Sequence, residues 1–436
     1  MQSPAPEAAA QASVKWLVLH NIAFRWVFSY FVFYFLPHPP SLCKPAIVWL
    51  GHNVLHLSYE ISTRFNGSGD TTYHWLVLLS NLVMASLVTI IWSVLDRRRN
   101  NYVKLELWLK LVLRLSLGST MLTYGASKVF EGQFPQPGPT RLSETFGEAS
   151  PMGLLWTFMG ASRPYSIFAG LAEMVPGLLL FCPPLAGLGA VLCAAVMFHI
   201  FTLNLCYDVP VKIYSCQLFL TAVYLALPVL KGLTGFFLLN NKIEPLPVVP
   251  FFKRQTFNEL TLALQVFLGV VLAGYALWGS AYRERHEFRE SIANIPMYGV
   301  WQVDQCQPYK IAAVTSGAAG EGAKALGLAI ASAVASPWHK LIFEYPGGVA
   351  VQLGDGERKY YGVSVDVLNH KIILSSHRDP EWQRIFSMVE LAPNVVSLES
   401  NGDGVPSRVT IHRIEDSKFL LKSRGFHWIN EFPYNR

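Results

Sequence analysis

The stretch YHWLVLLSNLVMASLVTIIWSVL, residues 73–95, carries no Asp, Glu, Lys or Arg. A helix of about 20 mostly apolar residues crosses the hydrocarbon core of a bilayer, and this run meets that requirement. Runs of the same kind recur on both sides of it. Counting outward, spans are expected at 16–36, 73–95, 107–130, 163–182, 185–206, 212–230 and 259–281. Two shorter apolar stretches read differently. Residues 45–62 carry His52, His56 and Glu60 and read as an interfacial helix; residues 150–161 read as a half-helix entering the fourth span.

Composition agrees with this. The chain of 436 residues is 52% hydrophobic and 15% charged, against about 25% charged in an ordinary soluble domain. Mean hydropathy is +0.31. The apolar excess ends near residue 281, where charge and glycine return. The expected fold is therefore a polytopic α-helical membrane bundle of about seven spans, followed by a small, mostly β domain. Its parts are a disordered tail at 1–13, a helix pair with an outer loop at 14–106, a four-helix core at 107–230, a loop with the last span at 231–290, and the β domain at 291–436. The tail has no basic stretch ahead of an apolar one, so it does not read as a cleavable signal peptide.

The lipid bilayer is the partner this composition demands. The net charge of +6 resides mainly in short loops and calls for no nucleic acid. Six cysteines form no C-x-x-C pair, and those in apolar runs read as small packing residues. No metal site is expected: His52 and His56 lack a third ligand, and His199 lacks a second one at its depth.

Lys and Arg in short loops mark the cytoplasmic side. Arg97, Arg98, Arg99 and Lys104 precede the third span; Lys231, Lys242, Lys253 and Arg254 precede the seventh. The loops 37–72, 131–162 and 207–211 then lie outside, and so does the β domain. Arg283, Arg285 and Arg289 run against that assignment, and Glu284, Glu287 and Glu290 accompany them.

Ionisable side chains are costly in hydrocarbon and mark function or fixed pairing. Arg25, Arg114, Glu173 and His199 fall inside expected spans. At about 1.5 Å per residue, Arg114 and Glu173 sit roughly 10 and 14 Å from the inner boundary, with Arg25 at a similar depth. An intramembrane ion pair of Arg114 and Glu173, joined by Arg25, follows. A second polar group gathers where spans three, five and six end outside: Tyr124, Lys128, Gln133, Asn204, Tyr207, Asp208 and Lys212. Lys128, Tyr207, Asp208 and Lys212 are the candidate catalytic residues. Tyr124, Gln133, His199 and Asn204 are the candidate substrate-binding residues. The plainer alternative is that Asp208 caps a helix while Lys212 snorkels. The segment Asn66–Thr72 lacks the Gly-Lys-Ser/Thr of a phosphate cradle; it reads as a turn in which Asp70 or Thr71 caps span two.

In the β domain, Val363, Val365 and Val367 alternate with polar residues, Asn369-His370 marks a turn, and further strands follow to Leu421. Regular turn spacing suggests a small antiparallel barrel or sandwich. The insertion 312–336 reads as a loop or short helix. Gly299-Val300-Trp301 resembles the opening of lipocalin-like barrels, with Arg424 as the closing-strand arginine packed on Trp301. A cavity for an apolar ligand and a solid core docking on the membrane part are both open readings.

Spans three to six resemble the DoxX-like family of four-helix membrane proteins. The residues that carry the resemblance are Arg114-Leu115-x-Leu117-Gly118 and Tyr124-Gly125-x-x-Lys128, then Gly170-Leu171-Ala172-Glu173-x-x-x-Gly177-Leu178-Leu179-Leu180. The resemblance covers about 107–230, and the stretches 150–156 and 207–212 mark a distinct bacterial subgroup. It implies a multi-pass protein of the bacterial cytoplasmic membrane, and the loop charges then place the β domain on the periplasmic side. It also implies a redox-linked role, with a quinone or a small sulfur species held at the outer polar group and Cys206 and Cys216 as nearby thiols. The other class is non-catalytic: a transporter, or a scaffold for an envelope complex whose β domain binds a protein partner.

Overall fold

In the computed structural model, residues 15–35, 40–64, 66–242, 250–309, 338–376, 379, 381–400, 406–425 and 427 are described. The expected tail at 1–13 and the insertion at 312–336 lie outside the described residues. The chain divides into two compact units, Met1–Val129 with Ile167–Trp278, and Phe130–Ser166 with Gly279–Arg436.

The helices are α1 (Val18–Phe35), α2 (Pro40–Asn53), α3 (Thr72–Leu95), α4 (Val103–Val129), α5 (Pro139–Leu142), α6 (Pro151–Gly160), α7 (Arg163–Leu179), α8 (Ala186–Cys206), α9 (Lys212–Leu239) and α10 (Gln255–Arg283). The last continues through a π-helical stretch, Glu284–Arg289, into α11 (Glu290–Ala293). Four helices are long and apolar enough to cross a membrane by length and composition: Thr72–Leu95, Pro183–Cys206, Lys212–Leu239 and Gln255–Ala293. The seven expected spans are thus not matched one for one. α1 is 18 residues long with Arg25 inside it, and α7 has 17 residues. α4 carries Lys104, Glu106, Lys110, Arg114 and Lys128.

The bundle is apolar on the outside. On α3, Val83, Leu87, Ile90, Ile91 and Val94 are exposed, whereas Asn81, Ala85 and Thr89 are buried. On α8 the buried residues include Gly189, Ala190 and Cys193. Small and weakly polar residues inside, with large apolar ones outside, are what lipid solvation selects. A soluble monomer rarely presents so large an apolar surface. Cys193 is fully buried among Leu117, Met121 and Ala222, a packing role as expected; Cys206 is exposed, and it and Cys216 are free thiols. The expected interfacial helix is α2, which ends at Asn53; His52 Nδ1 bonds the Leu57 carbonyl at 2.8 Å, and His56 lies beyond the helix with φ 53°.

α4 and α7 run antiparallel with their glycines in contact. A Cβ on Gly125 would lie 2.5 Å from the Gly170 carbonyl oxygen, and one on Gly118 would lie 3.0 Å from that of Gly177. Both pairs obey one register, in which paired residue numbers sum to the same value. Two glycines a heptad apart on each helix let the backbones touch, the small-residue packing favoured in membranes.

The second unit holds β1 (Gly299–Tyr309), β2 (Trp338–Tyr345), β3 (Gly348–Leu353), β4 (Arg358–Asp366), β5 (Lys371–Ser375), β6 (Gln383–Ala392), β7 (Val395–Glu399) and β8 (Pro406–Arg413), followed by α12 (Leu420–Ser423). Each strand pairs antiparallel with the next, and β8 returns to β1, so the sheet is a closed barrel and not a sandwich. Closure leaves no unpaired edge. Side chains alternate with the period of two that a strand imposes. Leu341, Val351, Ile372, Phe386, Val409 and Ile411 point inward and are almost completely buried. These side chains pack together as one apolar core. Trp301 joins it and donates its indole N–H to the Met297 carbonyl at 2.7 Å. The arginine across from Trp301 on the closing strand is Arg413, not Arg424, because β8 ends at residue 413 and Arg424 follows α12.

One side of the barrel wall is covered from outside. Val300, Ile342 and Ala350 are buried on the outer face against Ile414 and Phe419. Beside them lies α5. The Glu344 carboxylate accepts the Thr140 N–H at 2.9 Å, and Arg358 Nη2 donates to the Ser143 carbonyl at 2.7 Å. A carboxylate at the helix start and a guanidinium at its end both suit the helix dipole. The loop between α4 and α7 and the barrel therefore belong to one compact unit.

Candidate functional site

Among the described residues, the most deeply buried ion pair in the bundle is Lys128 and Glu173, with Nζ and Oε1 2.6 Å apart and side chains 8% and 4% exposed. The glycine register explains the pairing. Gly125 and Lys128 are three residues apart on α4, and Gly170 and Glu173 are three apart on α7, so each charge sits one turn from the backbone contact and on the same face. In this antiparallel pair the two residues flank the glycine contact on opposite sides along the axis, and because helical side chains lean toward their own N-terminus both reach back over the contact, where they meet.

Arg114 is not the partner of Glu173. The same register sets Arg114 across from Phe181, next to Cys182, just beyond the end of α7 and some eight residues from Glu173, or about 12 Å. Arg114 Nη2 instead donates to Gln265 Oε1 on α10, a partner that no feature of the sequence singled out. The depth arithmetic failed because α4 begins at Val103 and overruns the end of α7 at Leu179; the two helices do not share an inner boundary. Arg25 is likewise separate. Its guanidinium donates to Tyr102 Oη (2.9 and 3.1 Å), Ser93 Oγ (3.0 Å) and the Asp96 carbonyl (2.8 Å), all at the junction of α3 and α4. Tyr102 Oη in turn donates to Asp96 Oδ2 at 2.7 Å.

Where α8 gives way to α9, Lys212 Nζ lies 2.8 Å from Asp208 and 3.8 Å from Asp70. Asp70 is the residue that sequence reasoning misplaced. Thr71 occupies the cap position of α3 but makes no side-chain cap bond. The Asp70 carboxylate instead accepts the backbone N–H groups of Lys212 (2.7 Å) and Ile213 (3.0 Å), capping α9. Gly69 N–H reinforces this by donating to the Pro210 carbonyl at 2.8 Å. Asp208, at φ 51°, is exposed and serves Lys212 alone. Asp70→Ala is expected to cost about 1–2 kcal/mol in denaturant unfolding of the detergent-solubilised protein, with Asp70→Asn recovering part of it. An unchanged midpoint would show that α9 is not capped from this loop.

The two polar groups are bridged by aromatic rings. The Tyr124 ring lies 5.9 Å from Lys128 Nζ and 6.2 Å from the Tyr214 ring, and Tyr214 sits two residues into α9 from Lys212. Asn204 Nδ2 donates to Ser215 Oγ at 3.0 Å and ties α8 to α9. A recess behind Tyr214 is lined by Tyr34, Thr120 and Gln217, and Gln217 donates to Tyr30 Oη at 2.8 Å. Lys128, Tyr124, Asn204 and Lys212 thus gather at one end of the bundle. Tyr207 closes α8 there as its C-terminal cap residue. His199 lies on an exposed face of α8. Gln133 belongs to the other compact unit, where its Oε1 is buried without a partner among the described residues. Among the described residues no group of three or more His, Cys, Asp or Glu side chains is placed to hold a metal ion.

No family model and no solved structure matches the chain. A curated relative does: the uncharacterised protein YwoB of Bacillus subtilis (strain 168) is 33% identical over 112 residues, which is 26% of this chain and 71% of the relative.

Proposed function

The chain belongs to one family with the uncharacterised protein YwoB, and from that footing we propose that it is a DoxX-like integral membrane protein that binds a small redox-active ligand at the outer end of its bundle. The ligand class is a quinone head group or a small sulfur species. The observation that carries this reading is the Lys128–Glu173 pair, desolvated on both sides and flanked by Tyr124 and Tyr214. Burying two charges in hydrocarbon is costly, and a bundle needing only rigidity is served by apolar packing. Lys128 is held close to a carboxylate that receives its proton, and Tyr207, Asp208 and Lys212 supply further proton donors and acceptors at the same end. Electrons come from the reduced sulfur species and pass to the quinone.

In this reading α1, α4 and α7 cross the membrane with the four more apolar helices, making seven spans in the bacterial cytoplasmic membrane. The basic loops at 97–104 and 231–254 face the cytoplasm, and the barrel lies in the periplasm with the loop it packs against. The test is mass spectrometry of molecules co-purifying with the full chain, together with quinone reduction over a panel of reduced sulfur donors. Lys128→Ala is expected to lose both the bound molecule and any turnover. A wild-type protein that carries no quinone and reduces none with any donor ends this reading.

The barrel favours a second reading, that of an envelope scaffold. Its interior is packed, while Ile385, Val389 and Leu391 of β6 are exposed on the outer wall. A single stoichiometric partner retained by the wild type and lost on Val389→Asp would favour it.

A further inference from the structure

A row of outward-facing side chains crosses the barrel wall beneath the loop that follows α5. In register, Lys340 of β2 lies beside Gln352 of β3, and Gln352 beside Arg358 of β4. Cross-strand neighbours of this kind stand about 5 Å apart. Ser143 lies over the row, its carbonyl accepting from Arg358 Nη2. Three atoms here are buried with no hydrogen-bond partner among the described residues: Arg358 Nε, Ser143 Oγ and Gln352 Oε1. Ser143 and Gln352 are only 7% and 6% exposed, so bulk water does not serve them. Lys340 has no ion-pair partner among the described residues, and burial, with the neighbouring Arg358 charge, lowers its ammonium below the usual lysine range. Glu148 is a carboxylate on which the Arg358 charge acts. It is exposed and already accepts from Thr145 in a capping box.

Unpaired buried donors are costly, and native proteins satisfy them. Two cations on either side of Gln352, with a free guanidinium N–H and a free hydroxyl, form a donor set for an oxyanion. The Gln352 amide turns its NH₂ to the same point by rotation about its last side-chain torsion. We infer that Lys340, Arg358, Ser143 and Gln352 form an oxyanion site of the phosphate type, in which the anion joins the barrel wall to the loop between α4 and α7. A free phosphate and the phosphate of a lipid head group present the same chemistry to these groups.

The full chain in an uncharged detergent provides the test, with thermal unfolding followed by near-UV circular dichroism at constant ionic strength. Phosphate or sulfate in place of chloride is expected to raise Tm by about 3 °C at saturation. Short-chain phosphatidic acid acting where inorganic phosphate does not identifies the lipid as the source. Lys340→Gln removes a cation with no ion pair among the described residues and is expected to abolish the shift while leaving Tm in chloride unchanged. Arg358→Lys is expected to weaken the shift while keeping a charge against the Ser143 carbonyl. No anion-specific shift in the wild type, which is the behaviour of a site filled by water alone, overturns the inference. A shift that survives Lys340→Gln undiminished overturns it too.

Discussion

Glu173→Ala is expected to destabilise the bundle by about 3–5 kcal/mol, because it removes the carboxylate that pairs with the buried Lys128 ammonium. Lys128 is 8% exposed on its side chain and faces Glu173 at 2.6 Å. The readout is the midpoint of denaturant unfolding in detergent, followed by far-UV circular dichroism. The double variant Lys128→Met with Glu173→Leu separates the structural from the functional role. A well-packed apolar pair is often as stable as the ion pair it replaces, so the double variant is expected to recover most of the lost stability. Under the proposed function it does not recover ligand retention. If the single variant unfolds at the wild-type midpoint, the pair is not desolvated and the basis of the proposed site is removed. If the double variant retains the ligand, the charges serve the fold alone.

What was legible in the sequence follows from which interactions are local. The run 73–95 forms α3 as expected, because length and apolarity are summed along a single segment. The strand signals at Val363, Val365 and the turn at Asn369-His370 are local too, and β4 and β5 meet there. Three features were not legible. Asp70 was assigned to the nearest helix start, whereas its backbone partners lie 142 and 143 positions away. A cap is recognised by the residue type beside a helix, and Asp70 is adjacent in sequence to one helix and adjacent in space to another. The Arg114–Glu173 expectation assumed that both helices end at one membrane boundary; their glycine register, a contact between distant segments, places Lys128 there instead. Barrel closure between β1 and β8 depends on pairing of residues such as Trp301 and Arg413, which no pattern within either strand encodes.

That register leads to the second large effect. Gly125→Val is expected to separate α4 from α7 and to break the Lys128–Glu173 contact without touching either charge. A Cβ at residue 125 meets the Gly170 carbonyl oxygen and Met174 Cγ, each at 2.5 Å, and the Met174 backbone nitrogen at 3.1 Å. Met174 can rotate away, but the carbonyl and the backbone nitrogen belong to the α7 main chain and move only with the helix. Overpacking of this kind costs about 1–3 kcal/mol. Separating a desolvated ion pair adds to that, for a combined loss of roughly 3 kcal/mol or more. The reciprocal variant Gly170→Val meets the Gly125 carbonyl oxygen at the same 2.5 Å and Val129 Cγ2 at 2.8 Å, so it is expected to behave alike. The two lesions act on one contact, and the double variant is therefore expected to cost much less than the sum of the singles. Cysteines introduced at Leu122 and Met174, which pack in one buried cluster between α4 and α7, report the helix separation independently: cross-linking is expected to be fast in the wild-type background and slow with Gly125→Val. Full additivity of the two glycine substitutions, or cross-linking unaffected by either, would mean that the helices do not meet at this register. The Lys128–Glu173 pairing would then need another cause.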